Sequence, residues 1–77
     1  MEHVLDARGL ACPLPAVKAR AILRTLPGDA VLVVLATDPE APIDVAAVAA
    51  DAGRAFAVER AGDAWRMTLS PPARPLG

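Results

Sequence analysis

The chain has 77 residues, a net charge of −1 and a hydrophobic fraction of 55%, which together suit one compact domain, expected over residues 1–70. Acidic and basic residues are mixed along the sequence without a basic stripe, so nucleic acids and membrane surfaces are poor candidates for partners. No apolar run approaches the ~20 residues of a membrane span, the first residues lack an export signal and the single cysteine cannot form an internal disulfide, so we expect a cytoplasmic protein.

The first predicted elements are a short strand and a helix, separated by a loop that contains Gly9. The strand is expected over residues 3–7 and the helix over residues 14–26. Pro15 is tolerated in a first helical turn, and nothing interrupts the pattern before Pro27. At about 100° per residue, one arc of this helix is apolar and is expected to pack inward. It comprises Ala16, Ala19, Ile22, Leu23 and Leu26.

A second strand and a second helix follow. The uninterrupted, β-branched run over residues 30–36 predicts a central strand. Asp38 before Pro39 fits a helix cap followed by a first helical position. The helix is expected from about residue 43 to 52, with Gly53 as the left-handed residue that ends it. Its predicted buried stripe comprises Ile43, Ala46, Ala47 and Ala50.

The last predicted element is a hairpin with arms over residues 55–60 and 64–70. In the second arm, the larger apolar side chains alternate with polar ones and share one face. They are Trp65, Met67 and Leu69. The proline-rich residues 71–77 lack periodicity and predict a disordered tail. The order β-α-β-α-β-β, with two helices on one face of a four-stranded sheet, predicts an α/β two-layer sandwich.

Cys12 lies at the junction between the first strand and the first helix and is the candidate functional residue. A helix N-terminus can lower a thiol pKa from its usual ~8.5 and thereby supply a nucleophilic thiolate. Pro13 and Pro15 restrict the backbone around the helix start, and we expect them to hold the sulfur rigidly and exposed. The N–H groups near the sulfur are expected from Leu14, Ala16 and Val17.

Two basic residues, Arg8 in the same loop and Lys18 in the helix, are candidates for adding positive potential at the sulfur. The competing interpretation is that Cys12 is a small buried hydrophobic residue. If the thiol is functional, its chemistry is restricted. Disulfide exchange usually needs a second cysteine, whereas a protease-like dyad or a metal site needs histidine, and the only histidine is the distant His3. Carrying a sulfur atom needs one thiol alone, without a metal or another cofactor.

The run over residues 5–15, Leu-Asp-Ala-Arg-Gly-Leu-Ala-Cys-Pro-Leu-Pro, strongly resembles the TusA/SirA/YedF family of small sulfur-carrier proteins. Lys-Ala-Arg at residues 18–20 and Ala-Thr-Asp-Pro at residues 36–39 extend the likeness. The resemblance implies a β-α-β-α-β-β sandwich with a mixed sheet. It also implies that Cys12, in the Cys-Pro-x-Pro motif, accepts sulfane sulfur as a persulfide and passes it to a partner. Ala11 and Leu14 replace charged residues that some relatives carry there.

The leading hypothesis is therefore a monomeric sulfurtransferase that relays sulfur between proteins. The donor would be a cysteine desulfurase or a rhodanese, and the acceptor a DsrE-like or TusD-like protein, in tRNA thiolation, molybdenum-cofactor assembly or sulfur oxidation. Gly9 and Arg8 belong to the motif that presents the thiol, and the expected partner interface comprises Leu14, Val17, Lys18 and Ala21. The alternative is a non-enzymatic regulatory module that binds a protein through the same face. Direct nucleic-acid binding is disfavoured by the acidic charge and the lack of exposed stacking aromatics.

Overall fold

The computed structural model describes residues 2–72, in which strands and helices follow in the order β-α-β-α-β-β. The elements are β1 (Glu2–Asp6), α1 (Leu14–Leu23), β2 (Val31–Ala36), α2 (Ala41–Asp51), β3 (Ala55–Ala61) and β4 (Ala64–Ser70). This order confirms the predicted one. None of the helices in the described part of the chain is long and apolar enough to cross a membrane.

The four strands form one mixed sheet in the order β1-β2-β4-β3. β1 pairs with β2 in parallel, whereas β4 runs antiparallel to both β2 and β3. Since β1 and β2 are parallel, the loops that leave them toward α1 and α2 start at the same edge of the sheet. The predicted α/β two-layer sandwich with a mixed sheet is confirmed, and its topology brings the loop of Cys12 next to the loop that follows β2.

The hydrophobic core lies between the two central strands and the helices. Its fully buried side chains from the sheet include Leu32 and Val34 of β2 and Met67 and Leu69 of β4. Phe56 and Trp65 are half-buried and pack against this cluster. The predicted inward face of the second hairpin arm is therefore confirmed. The core is built from aliphatic side chains, with the two aromatic residues at its margin.

Helix α1 begins at Leu14, as predicted, but ends at Leu23, three residues before the predicted end. After Leu23 the backbone N–H groups donate to carbonyls three residues earlier, instead of four as in an α-helix. The Thr25 N–H donates to the Ile22 carbonyl, and the Leu26 N–H donates to the Leu23 carbonyl. The Thr25 hydroxyl also donates to the Ile22 carbonyl, at 2.8 Å. The predicted inward arc of α1 is nevertheless confirmed: Ala16 and Ala19 are buried, and Ile22, Leu23 and Leu26 pack against the core.

Helix α2 differs from its prediction in both its start and its buried face. It begins at Ala41, two residues before the predicted start, and Pro42 is accommodated in its first turn. The predicted stripe is wrong: Ile43 is 71% exposed, Ala47 and Ala50 are exposed, and Ala46 is only half-buried. The buried side chains are instead Ala41, Val45, Val48 and Ala49. The spacing i, i+4, i+7, i+8 is that of one helical face, and it buries both valines.

The C-terminal end of α2 and the end of the described chain complete the fold. Gly53 has a φ of +70°, and its N–H donates to the Ala50 carbonyl while the next N–H, of Arg54, donates to the Ala49 carbonyl. This confirms the predicted left-handed terminus. The tail predicted over residues 71–77 falls largely outside the described part, since residues 73–77 are not among the described residues.

Candidate functional site

Cys12 is exposed in the loop between β1 and α1. Exposure contradicts the interpretation of Cys12 as a buried hydrophobic residue and confirms that its sulfur is accessible. The Cys12–Pro13 peptide bond is cis. Pro13 is the N-cap residue of α1 and is exposed, whereas Pro15 is buried in the first turn of the helix.

The loop that carries Cys12 is held by side chains of the neighbouring loop, which follows β2. The Gly9 N–H donates to the hydroxyl oxygen of Thr37, at 3.0 Å, and the Cys12 N–H donates to Oδ2 of Asp38, at 3.1 Å. Gly9 has a φ of +83°, a left-handed conformation that other residues rarely adopt. Oδ1 of Asp38 accepts the Glu40 N–H at 2.8 Å. One carboxylate thus joins the two loops.

This use of Asp38 differs from the predicted helix cap. The N-cap residue of α2 is Glu40, and no side chain caps that end of the helix. Asp38 lies two residues before the cap, where its carboxylate closes a turn on its own loop and also fixes the backbone of Cys12. Its role is to position the cysteine loop as well as to start α2.

The thiol itself contacts α2. Sγ of Cys12 donates a hydrogen bond to Oδ2 of Asp44, in the first turn of that helix. This hydrogen bond, together with a loss of hydration and the negative charges of Asp44, Glu40 and Asp38, raises the pKa of the Cys12 thiol to about 11. The prediction that the helix start lowers this pKa is therefore wrong for this structure. These contacts favour the protonated thiol over the thiolate at neutral pH.

Two of the N–H groups at the N-terminus of α1 that were predicted to stabilise a thiolate have other acceptors. The Leu14 N–H donates to the Ala11 carbonyl, at 2.9 Å, and the Val17 N–H donates to the Pro13 carbonyl, at 3.0 Å. Two of the three predicted donors are thus used by the backbone. The carboxylates of the neighbouring loop and of α2 consequently dominate the electrostatics at the sulfur.

Arg8 also differs from its predicted role. Its guanidinium binds the Asp6 carboxylate with two hydrogen bonds, of 2.9 and 2.8 Å. This pairing lowers the pKa of Asp6 to about 2. The positive charge of Arg8 is therefore matched within its own segment of chain rather than offered to the thiol. Lys18 lies exposed on α1.

Exposed apolar side chains flank the cysteine. The predicted partner-interface residues Leu14, Val17, Lys18 and Ala21 all lie exposed on α1, with Leu14 at 45% and Val17 at 55%. Ile43, which the sequence placed in the core, adds a third large apolar side chain at the start of α2, directly before Asp44. The helix starts that meet at Cys12 therefore both present apolar surface.

Thr37, Glu40 and Asp44 were not identified from the sequence as site residues. Thr37 directly follows β2. Because β1 and β2 are parallel neighbours, their carboxyl ends lie at the same edge of the sheet, and this position was the signal available for Thr37. No local pattern marks Asp44. Across residues 2–72, no group of three or more His, Cys, Asp or Glu side chains is arranged to hold a metal ion. The site offers one accessible sulfur surrounded by carboxylates.

The sequence is similar to proteins named as sulfur carriers. The family model described as Sulfurtransferase TusA matches residues 3–70. Sulfur carrier protein TusA of Allochromatium vinosum is 45% identical over 52 residues, which cover 68% of this chain and 68% of that protein. YrkF and YrkI of Bacillus subtilis strain 168 are 42% and 44% identical over 53 and 46 residues, or 69% and 60% of this chain. The matched region spans only 29% of YrkF and 61% of YrkI.

A solved structure supports the fold independently. The crystal structure of a SirA-like protein from Desulfitobacterium hafniense superposes with a TM-score of 0.81, covering 95% of this chain and 100% of that one, at 23% sequence identity. At that identity the likeness concerns the fold alone. The family model, by contrast, extends from β1 to the end of β4. The chain therefore belongs to the TusA sulfurtransferase family, as the resemblance around the Cys-Pro-x-Pro motif predicts.

Proposed function

We propose that this protein is a sulfur carrier in which the thiol of Cys12 accepts sulfane sulfur from one protein, holds it as a persulfide and yields it to another. Membership of the TusA family supports the general function. The observation that carries the proposal is the exposed sulfur of Cys12 on a loop whose backbone is fixed by Asp38. Such a sulfur is accessible to a second protein and held at a defined position.

The transfer needs no other nucleophile. The Cys12 thiol loses its proton, and the thiolate attacks the outer sulfur of a donor persulfide. The S–S bond of the donor breaks, a new S–S bond forms at Cys12, and the donor thiolate takes up a proton. The same exchange in the other direction delivers the sulfur to an acceptor. Since the sequence contains one cysteine, no second thiol of this chain can resolve the persulfide as an internal disulfide.

The proposed partners are proteins. The donor would be a cysteine desulfurase or a rhodanese, and the acceptor a DsrE-like or TusD-like protein. The exposed apolar side chains of Leu14, Val17 and Ile43 support a protein interface at the cysteine. Covering such side chains with a partner removes apolar surface from water and stabilises the complex. Lys18 and Ala21 continue this face along α1.

Incubation with a cysteine desulfurase and cysteine tests the proposal. Intact-mass spectrometry should show the addition of one sulfur atom to the wild-type protein, and a reducing agent should remove it. The Cys12→Ser protein is the matched control and should gain nothing. A wild-type protein that stays unmodified with both a desulfurase and a rhodanese as donors, or a mass increase that persists in Cys12→Ser, would contradict the sulfur-carrier function.

The alternative is a regulatory module that binds a protein through the same face without transferring sulfur. One observation favours it: the Cys12 thiol donates a hydrogen bond to Asp44, and this contact raises its pKa. A protonated thiol is a poor nucleophile. The two functions differ in their need for the sulfur. Cells in which Cys12→Ser fully replaces the wild-type protein would favour the regulatory module, whereas loss of function would favour the sulfur carrier.

A further inference from the structure

The contact between the Cys12 thiol and Asp44 joins two segments that are 32 residues apart in the sequence. Two carboxylates therefore hold this one residue, and each holds a different part of it. Asp38 accepts the backbone N–H of Cys12, and Asp44 accepts the proton of its sulfur. The first contact fixes the loop, and the second fixes the direction in which the thiol points.

A carboxylate stabilises only one state of this sulfur. Ionised Asp44 can accept a hydrogen bond from a thiol, but it has no proton to offer a thiolate and repels its negative charge. Glu40 and Asp38 add negative charge on the same side. Three cations in the described cysteine loop and in α1 are either paired with other carboxylates or exposed. Arg8 is paired with Asp6, Arg20 is paired with Asp51, and Lys18 is exposed on α1.

We propose that Asp44 is a positioning residue that holds the Cys12 thiol protonated and turned toward α2 in the free protein, so that the reactive thiolate forms only when this hydrogen bond is broken. The inference rests on the proposed sulfur-carrier function for its biological meaning, but not for its chemistry. It predicts that the exposed Cys12 thiol reacts slowly with small oxidants and electrophiles before a donor protein arrives.

The same contact distinguishes the empty carrier from the loaded one. After transfer, Sγ of Cys12 is bonded to Cβ and to the outer sulfur and carries no proton, so it can no longer donate to Asp44. If the outer sulfur is ionised, the carboxylate repels it. The hydrogen bond from Sγ to Asp44 thus belongs to the empty state, and an ionised outer sulfur is directed away from α2.

The pH profile of alkylation by iodoacetamide tests this role. Asp44→Asn keeps the size of the side chain but removes its charge. Asp29→Asn, in the exposed turn before β2 and so at the opposite end of that strand from the cysteine loop, is the matched control. A return of the Cys12 pKa from about 11 to its ordinary value of 9.0 would raise the thiolate fraction at neutral pH about a hundredfold. A less basic thiolate is also a weaker nucleophile, and this lowers the rate about tenfold. Removal of the whole shift would thus give about a tenfold faster reaction at pH 7. Since desolvation, Glu40 and Asp38 keep part of the shift in Asp44→Asn, we expect about a three- to tenfold increase.

At pH values above the Cys12 pKa of both wild type and Asp44→Asn, wild type should react faster than the variant. The wild-type thiolate is the more basic and so the more nucleophilic, and the two profiles should cross. A change that merely loosened the fold would not produce this crossing. Asp29→Asn should follow the wild-type profile. If Asp44→Asn does not fold, as judged by circular dichroism, Asp44→Ser is used in its place.

An apparent pKa in the Asp44 variant that equals or exceeds that of wild type would overturn the proposal. So would an equal decrease of the Cys12 pKa in the Asp29 variant. Failure of the wild-type protein to accept sulfur from a desulfurase is a separate result, since it would contradict the sulfur-carrier function and leave the alkylation profile unaffected.

Discussion

Asp38→Asn is expected to destabilise the protein, because each oxygen of the Asp38 carboxylate accepts a different backbone N–H. Oδ1 accepts the N–H of Glu40 at 2.8 Å, and Oδ2 accepts the N–H of Cys12 at 3.1 Å. Asparagine has one acceptor oxygen and one NH₂ group. It can therefore keep only one of the two hydrogen bonds, and it places an N–H donor against the other backbone donor.

The size of the effect follows from these contacts. A hydrogen bond to a charged group contributes about 1.5–3 kcal/mol, and water replaces part of this where the site is accessible. Since Asp38 is only half-buried, we expect a loss of about 1–2 kcal/mol in the free energy of unfolding. For a domain of this size that loss corresponds to a decrease in Tm of about 4–15 °C.

Urea and thermal unfolding followed by circular dichroism measure this loss, with Asp29→Asn, in the exposed turn before β2, as the control. Hydrogen exchange followed by NMR gives a local readout, because the Cys12 amide should exchange faster in Asp38→Asn than in wild type. A stability within about 0.3 kcal/mol of wild type, less than the weakest such hydrogen bond contributes, together with an unchanged Cys12 amide, would refute the reasoning that Asp38 anchors the loop.

Further predictions concern the ion pair and the core. Asp6 has a folded-state pKa of about 2, below its ordinary 3.8, so its pairing with Arg8 stabilises the fold above that ordinary pKa and is lost as the pH falls toward 2. Arg8→Gln should therefore lower stability slightly at pH 7 and by less at pH 2, where about half of Asp6 is protonated. An equal loss in urea unfolding at both pH values would contradict the pairing. Met67→Ala should cost about 2–5 kcal/mol, because the Met67 side chain is fully buried in the core. Ile43→Ala should change the free energy of unfolding by less than about 0.5 kcal/mol, because Ile43 is 71% exposed; comparable losses for the two variants in urea would show that Ile43 is packed.

The order of elements was predictable because their signals are local. The apolar run of β2, the alternation in β4 and the glycine after α2 each define one element by itself. The rotation of α2 was not predictable in the same way. Alanine occupies so many of its positions that several faces are apolar, and Ile43, the largest apolar side chain, favoured the wrong one.

The site was predictable in position but not in electrostatics. Gly9 and the two prolines place Cys12 at a helix start, which the structure confirms. The charge at the sulfur depends on Asp44, which reaches it only through the packing of α2 beside α1. Arg8 was predicted near the thiol, but Asp6, two residues away, binds it at lower entropic cost than a distant group would.

The position of β4 between β2 and β3 has a consequence for the order of folding. The central pair of the sheet joins distant parts of the chain, with Leu32 opposite Leu69. By contrast, β3 and β4 are adjacent in sequence and pair from Ala61 and Ala64 outward. Closing the loop between β3 and β4 costs less entropy than closing the long segment between β2 and β4. The β3–β4 hairpin can therefore form first and then add to β2 as a preformed unit. The rate of folding should accordingly be limited by the docking of this hairpin on β2, the step that also completes the core.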